Sequence, residues 1–452
     1  MIMKNPNHQP TASAEENLHR KLEAIDKRDG EVKAFIEVYR EESLKKAKEV
    51  DKRIKDGKAG PLAGLVIAVK NNITVKGKRL TCASKMLENH RAVYDATVVE
   101  RLNAADAIIV GSVNLDEFAC GVDGTYSALQ RTKNPLDLER VPGGSSAGSG
   151  ASVAAGMCDA ALGSDTGGSV RCPAAFCNAY GFKPTYGTVS RYGLADLAMS
   201  LDQIGIISKD KAVMKRVFEV IRGTDPRDQT TQLADAMLKK KPAETKVIGV
   251  PKEFFEGVDK HIATGVKKRI KELEKRYEVR EVSIPTLKYT VPIYQLTMAA
   301  EFSSAMQKYD GLRYGFAAER NEELYTSFAK ARDAALGKEI KRRIMIGTYI
   351  TMKEFKDAWY SQALKAREVM KEEFASVMKS IDILAGPAMP TGPWKFGEKM
   401  TQLEMYAADM LTIAANLTGT PAIIEPLSSD FKDGAIQFYG RHFEDDALFH
   451  ID

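Results

Sequence analysis

"RVPGGSSAGSGASVAAGMCDAALGSDTGGSVRCPAA", Arg140 to Ala175, is built almost entirely from small residues. Such a run fills a core poorly, but glycine and serine let backbone approach another group closely. Inside it, "ASVAAGM" reads as a small-residue helix and "CDAALG" as a short strand. Upstream, "GPLAGLVIAVKNNI" (Gly60–Ile73) carries the compact apolar run expected of a buried strand. "VVERLNAADAIIVGSVNLDEF" (Val98–Phe118) then switches from a helix pattern to a strand pattern. Alternation of this kind predicts an α/β fold, with a central mixed β-sheet flanked by helices.

Working outward, residues 14–57 read as helical. Leu18, Leu22 and Ile25 share one face, as do Phe35, Val38 and Tyr39, and Asp29-Gly30 marks a break between two helices. Residues 222–246 are polar and charged and read as a surface connection leading into the strand "KVIGVP". Residues 259–278 and 294–380 are helix-rich; within 353–380, Phe355, Trp359, Ala363, Ala366, Met370, Phe374 and Val377 form a core-facing stripe. "IDILAGPAMPTGP" reads as a strand entering a Pro-rich loop, and "GTPAIIEP" and "GAIQFYG" as the last strands. The expected organisation is a single domain over 1–452. It divides into a helical N-terminal segment (1–58), a core (59–225), the surface connection (226–246) and a helix-rich remainder of core and pocket (247–452).

Composition excludes some classes. The chain has 452 residues, 44% hydrophobic and 28% charged, which is ample for a large core. Its 66 basic and 61 acidic residues leave a net charge of only +5, which permits nucleic-acid contact without arguing for it. The N-terminal stretch "MIMKNPNHQPTASAEEN" has no apolar core of a secretory signal, and no apolar run is long enough to cross a membrane. Cys82, Cys120, Cys158, Cys172 and Cys177 are sparse and odd in number, which predicts reduced thiols in a cytoplasmic protein. Cys172 and Cys177 have no second pair to complete a zinc site, so no metal is expected.

Three chemistries suit a Gly/Ser-rich run. Phosphate binding is set aside, because no Gly-Lys-Ser/Thr follows the glycines and "NPLDLERVP" before them is no strand. "GSSAG" (Gly144–Gly148) matches a nucleophile elbow centred on Ser146, with His442 as the one viable base; a five-residue pattern with one base is a weak signal. The third chemistry pairs serines with a lysine. A serine hydroxyl needs a base, and a lysine serves only if burial lowers its pKa. Lys70 stands at the end of "LVIAV", where burial is available. Taken alone, it reads equally as a snorkelling surface side chain.

"AVKNNI", "PGGSSAGSGASVAAG" and "GSDTGGSVRCPAAFCNAYGFKPTYGTVSRYG" together resemble the amidase signature family. The resemblance implies the amidase signature fold and a Ser–cis-Ser–Lys triad. The matching positions are Lys70, Ser145 as the middle serine with its cis peptide, and Ser169. Ala147 departs from the glycine of many relatives. The implied roles are Ser169 as nucleophile, Ser145 as proton relay and neutral Lys70 as base. The backbone N–H groups of Thr166, Gly167, Gly168 and Ser169 are expected to form the oxyanion hole.

"EFSSAMQKYDGLRYGF", "EIKRRIMIGTY" and "LTIAANLTGTPAI" are more pointed. They resemble the A subunits of tRNA-dependent amidotransferases, glutaminases that supply ammonia for converting Glu-tRNA(Gln), and in some cases Asp-tRNA(Asn), to the amidated form. The resemblance implies a glutamine pocket. Arg343, with Arg342 beside it, would take the α-carboxylate, Asp409 the α-ammonium, and Tyr294 would form a wall. The implied partners are the B and C subunits of such an amidotransferase. Charged tRNA, ATP and Mg2+ would be handled mainly by the first of these, with no cofactor in this chain. The alternative is a stand-alone amidase acting on small or aryl amides, in which Arg343 and Asp409 would not face Ser169.

Overall fold

Ser13 starts the first helix through a reciprocal cap. Its hydroxyl accepts from the Glu16 N–H at 3.1 Å, and the Glu16 carboxylate accepts from the Ser13 N–H at 3.0 Å. In the computed structural model, which describes residues 13–238, 244–317, 323–398, 400–428, 430 and 434–451, this helix spans Ala14–Val32. It does not break at Asp29-Gly30 as expected. It runs through Gly30 and stops where Lys33 turns left-handed, at φ 55°. The Asp29 carboxylate accepts instead from the Ala34 N–H at 2.7 Å, turning the chain into β1 (Phe35–Val38). Phe35 and Val38, expected on a helix face, therefore lie in an edge strand, and the second helix begins only at Arg40 and ends at Lys55.

The remaining strands are β2 (Val66–Lys70), β3 (Ile108–Val113), β4 (Ala160–Asp165), β5 (Tyr180–Lys183), β6 (Gln203–Ser208), β7 (Val247–Pro251), β8 (Glu278–Val282), β9 (Ile383–Pro387), β10 (Ala422–Pro426) and β11 (Ala435–Tyr439). They form one sheet in the order β1-β3-β2-β4-β6-β5-β10-β11-β9-β7-β8. The sheet is mixed. β2 runs parallel to β3 and β4, and β7 to β8 and β9, while the other pairings are antiparallel. Every residue of β2, β4, β6, β9 and β11 is buried, which explains their apolar runs. The sequence reading did not name β5, β6 or β8. β8 is a charged, largely solvent-facing edge strand without an apolar run to announce it.

Small residues let the helix Ala147–Ala154 pack tightly behind β4 and β2. Further along, helices Thr290–Ala305, Lys338–Thr351 and Tyr360–Val377 stack into the layer that roofs the site. In the last of these Ala363, Met370 and Phe374 are buried, but Phe355 and Trp359 lie before its first turn. Phe355 stacks on Tyr349 of the preceding helix at 4.4 Å and Trp359 is exposed, so the predicted stripe is shorter than expected. The polar connection is tied down at its start: Asp225 is buried and accepts from the Ser190 hydroxyl at 2.7 Å, and a short helix follows at Ala234–Leu238. Residues 239–243 of that connection, and residues 1–12 of the N-terminal stretch, lie outside the described residues. All five cysteines are buried and free, and among the described residues no helix is long and apolar enough to cross a membrane.

Candidate active site

The site forms at the C-terminal end of β2, beside its parallel neighbour β4, which pairs Leu162 with Val69 and runs on past the end of β2. Lys70 is the last residue of β2, and its side chain is fully buried. Its Nζ lies 2.8 Å from Ser145 Oγ, 2.9 Å from Ser164 Oγ and 3.4 Å from the Ser164 carbonyl. Burial pulls the Lys70 pKa down to about 7, against the opposing pull of Asp116, Asp165 and Asp202. The amine is thus neutral in part near pH 7, the form that can accept a proton. Ser145 is buried beside it, and the Gly144–Ser145 peptide bond is cis. The Asp116 N–H donates to the Ser145 carbonyl at 3.1 Å, and the Ser146 N–H donates to the Ser169 carbonyl at 3.1 Å. The two serine segments are therefore stitched together by backbone.

Ser146 is not presented as an elbow nucleophile. It is fully buried, and its hydroxyl donates to the Ser164 carbonyl at 3.2 Å.

Ser169 follows β4 by one tight loop. It keeps 7% exposure and opens onto a cleft lined also by Tyr294, Arg343 and Asp409. The loop has a sharp form because Asp165 organises it from below. The Asp165 carboxylate accepts from the Gly168 N–H at 2.9 Å and the Val170 N–H at 3.1 Å. The Gly168 N–H is thereby taken out of the expected oxyanion hole, since a proton given to Asp165 cannot point at substrate. Among the described residues, Thr166, Gly167 and Ser169 keep their N–H groups free of any hydrogen bond. Gly168 sits at φ 134°, and a Cβ there would fall 2.1 Å from Thr412 Oγ1; one on Gly167 would fall 2.7 Å from the Tyr294 ring. Both positions require glycine.

Asp165 is held charged by Arg171. The guanidinium donates through Nη2 at 2.9 Å and Nε at 3.0 Å to the two carboxylate oxygens. Arg171 also donates to the Thr412 carbonyl at 2.7 Å, to Gln437 Oε1 at 2.7 Å and to Asn416 Oδ1 at 2.6 Å. Burial alone would raise the Asp165 pKa, but Arg171 holds it down at about 2. This network ties the Ser169 loop to the loop carrying Asp409. Nothing in the sequence reading anticipated it, although "DTGGSVR" places an acid and a base six residues apart around the glycines. Arg171→Met should cost about 3–5 kcal/mol, because it strands a buried carboxylate; urea unfolding at pH 7 measures the loss.

On the far wall, helix Lys338–Thr351 presents Arg343 to the cleft, whereas Arg342 does not line it. Glu339, one turn earlier, accepts from Arg343 Nε at 2.7 Å and from Arg342 Nε at 2.9 Å. Asp409 is the least satisfied group: its Oδ1 is buried and has no hydrogen-bond partner. Burial pushes its pKa well above the usual carboxylate range, and the charge on Asp165 adds to that. Such an acid is favoured in its neutral form while the cleft is empty, and a cation beside it would favour the carboxylate. Tyr126, Gln295, Glu339, Met405 and Tyr406 also line the cleft. These were missed because they come from separate loops and helices and carry no local motif.

The cleft thus combines a buried Lys–Ser pair, a second serine open to substrate, a glycine loop with free N–H groups, and an acid and a base placed apart. The amidase family model matches residues 16–449 of the chain. The chain is also similar to the A subunits of glutamyl-tRNA(Gln) amidotransferases. That of Fusobacterium nucleatum subsp. nucleatum is 43% identical over 448 residues, covering 97% of this chain and 92% of that relative. That of Geobacillus thermodenitrificans is 44% identical over 431 residues, covering 93% and 88%. Among solved structures, that of Thermotoga maritima superimposes with a TM-score of 0.79 at 38% identity, covering 97% of this chain and 90% of that one. The peptide amidase of Stenotrophomonas maltophilia superimposes equally well, with a TM-score of 0.79 at 25% identity and coverage of 97% and 92%. The same core therefore serves different amides, and sequence identity over nearly the full length places this chain on one branch: it belongs to the amidase family, among the glutamyl-tRNA(Gln) amidotransferase A subunits.

Proposed function

We propose that the chain hydrolyses the side-chain amide of glutamine and passes the ammonia to a partner protein that amidates Glu-tRNA(Gln). The observation that carries the substrate is the cleft itself: Arg343 and Asp409 line the same space as Ser169. A guanidinium suits an α-carboxylate, and an unpartnered buried carboxylate suits an α-ammonium. With the amino-acid end so held, the γ-amide extends toward Ser169, and Tyr294 closes the side of the cleft.

The proposed chemistry is acyl transfer. Ser169 Oγ attacks the γ-carbonyl carbon while its proton moves to Ser145 Oγ, whose own proton moves to neutral Lys70. The N–H groups of Thr166, Gly167 and Ser169 are the free donors for the oxyanion. The C–N bond then breaks, and the proton stored on Lys70 returns through Ser145 to the departing ammonia. Water attacks the resulting Ser169 ester by the same relay and releases glutamate. In this reading the partners are the B and C subunits of the amidotransferase. ATP and Mg2+ act in the first, charged tRNA binds mainly there, the second completes the assembly, and the complex works in the cytoplasm. Asp-tRNA(Asn) is a further acceptor if the partner admits it.

Ammonia release from glutamine, asparagine and a simple aromatic amide tests the reading, using the chain purified with the partners it retains. Glutamine is expected to be preferred, with release stimulated by charged tRNA and ATP. Brisk cleavage of the aromatic amide with glutamine ignored would instead indicate a stand-alone amidase. In the same assay Asp409→Asn should raise the KM for glutamine by at least about 30-fold, the lower end of what losing one partner of a buried charge pair costs. An amide lacking an α-ammonium should lose nothing.

A further inference from the structure

Lys70 has three oxygen neighbours, and only one of them belongs to the proposed relay. The Ser164 carbonyl can only accept, so it takes one N–H of the amine. A neutral amine then has one N–H and one lone pair left, and two hydroxyls to face, Ser145 Oγ at 2.8 Å and Ser164 Oγ at 2.9 Å. The relay works only if the lone pair faces Ser145, which requires the second N–H to point at Ser164. Asn72 holds that hydroxyl in place: its Nδ2 donates to Ser164 Oγ at 3.0 Å, and both residues are buried.

We infer that Ser164 is a positioning residue for the base, its hydroxyl and carbonyl together fixing Lys70 so that the lone pair faces Ser145 in the neutral state. The same three oxygens accept all three N–H groups once the proton has arrived, so the lysine need not turn between the two states. Asn72 supports this through Ser164. The inference rests on the proposed Ser169–Ser145–Lys70 chemistry and goes beyond it, because Ser164 itself touches neither substrate nor the migrating proton.

The test is Ser164→Ala, read by glutamine kinetics across pH and by the rate at which a fluorophosphonate labels Ser169. The groups that bear on Lys70 are Asp116, Asp165, Asp202 and Cys82, and none of them is altered. We expect kcat to fall on the order of 10- to 100-fold with KM unchanged. The acidic limb of the profile should move to lower pH, because the lost acceptor stabilised the ammonium more than the amine. Labelling should slow in parallel, which removes glutamine binding from the comparison. Wild-type kcat, labelling rate and acidic limb in Ser164→Ala would overturn the inference, as would a rise in KM alone. Ser169→Ala run alongside separates the two levels: if that variant still turns over glutamine, the relay itself is wrong, whatever Ser164→Ala does.

Discussion

Ser169→Ala should release ammonia from glutamine about 10⁴- to 10⁶-fold more slowly than the wild type, the range seen when a serine hydrolase loses its nucleophile. The reason is local. Ser169 is the serine of the constellation open to the cleft, whereas Ser145 and Ser146 are fully buried. Removing its hydroxyl strands no buried partner, because the loop is held by Asp165 through the Gly168 and Val170 N–H groups. The melting temperature should therefore stay within about 2 °C of the wild type, since the truncation removes one hydroxyl and breaks no hydrogen bond of the fold. Glutamine binding should survive, because Arg343 and Asp409 are untouched. Calorimetric titration of the variant with glutamine checks that separation of binding from chemistry.

The second large effect falls on Lys70. With its pKa at about 7, kcat/KM should rise with pH and level off above neutrality, since only the neutral amine accepts a proton. Lys70→Arg keeps the charge but cannot give it up, and should lose about 10²- to 10⁴-fold in kcat at every accessible pH. Lys70→Met removes the base and the buried amine together, so activity falls similarly while the fold holds. The stability comparison has a definite sign. Between about pH 7 and the ordinary lysine value the unfolded chain binds a proton at Lys70 that the folded chain does not. The wild type should therefore gain stability relative to Lys70→Met as pH rises through that window. Urea unfolding of both proteins across that range measures the difference.

How much of this could be read from residues alone depends on whether the signal is local. β2, β4 and β11 were legible because strands buried on both faces need continuous apolar runs. β1 was misread because Phe35 and Val38 are compatible with either period, and only the pairing with β3 and the left-handed Lys33 decide the matter. β8 has no apolar face to betray it. At the site, Lys70, Ser145 and Ser169 were expected from the resemblance to the amidase signature family, and the structure brings Lys70 and Ser145 into contact. Arg343 and Asp409 lie 66 residues apart in sequence, from the difference of their numbers, and reach the Ser169 cleft from a roof helix and from the loop before Ile413–Thr418 respectively. The Asp165–Arg171 network and Ser164 were invisible for another reason: their partners Thr412, Asn416, Gln437 and Asn72 are set by tertiary packing, which no short motif encodes.

The central claim is that Ser169 carries the acyl group of glutamine during turnover. Acid quenching of the enzyme in the steady state with glutamine, followed by peptide mass spectrometry, examines it directly. A γ-glutamyl ester on the peptide containing Ser169, absent from Ser169→Ala and accumulating when water attack is slowed, is the predicted result. An adduct on Ser145 or Ser146, or undiminished ammonia release by Ser169→Ala, would contradict it.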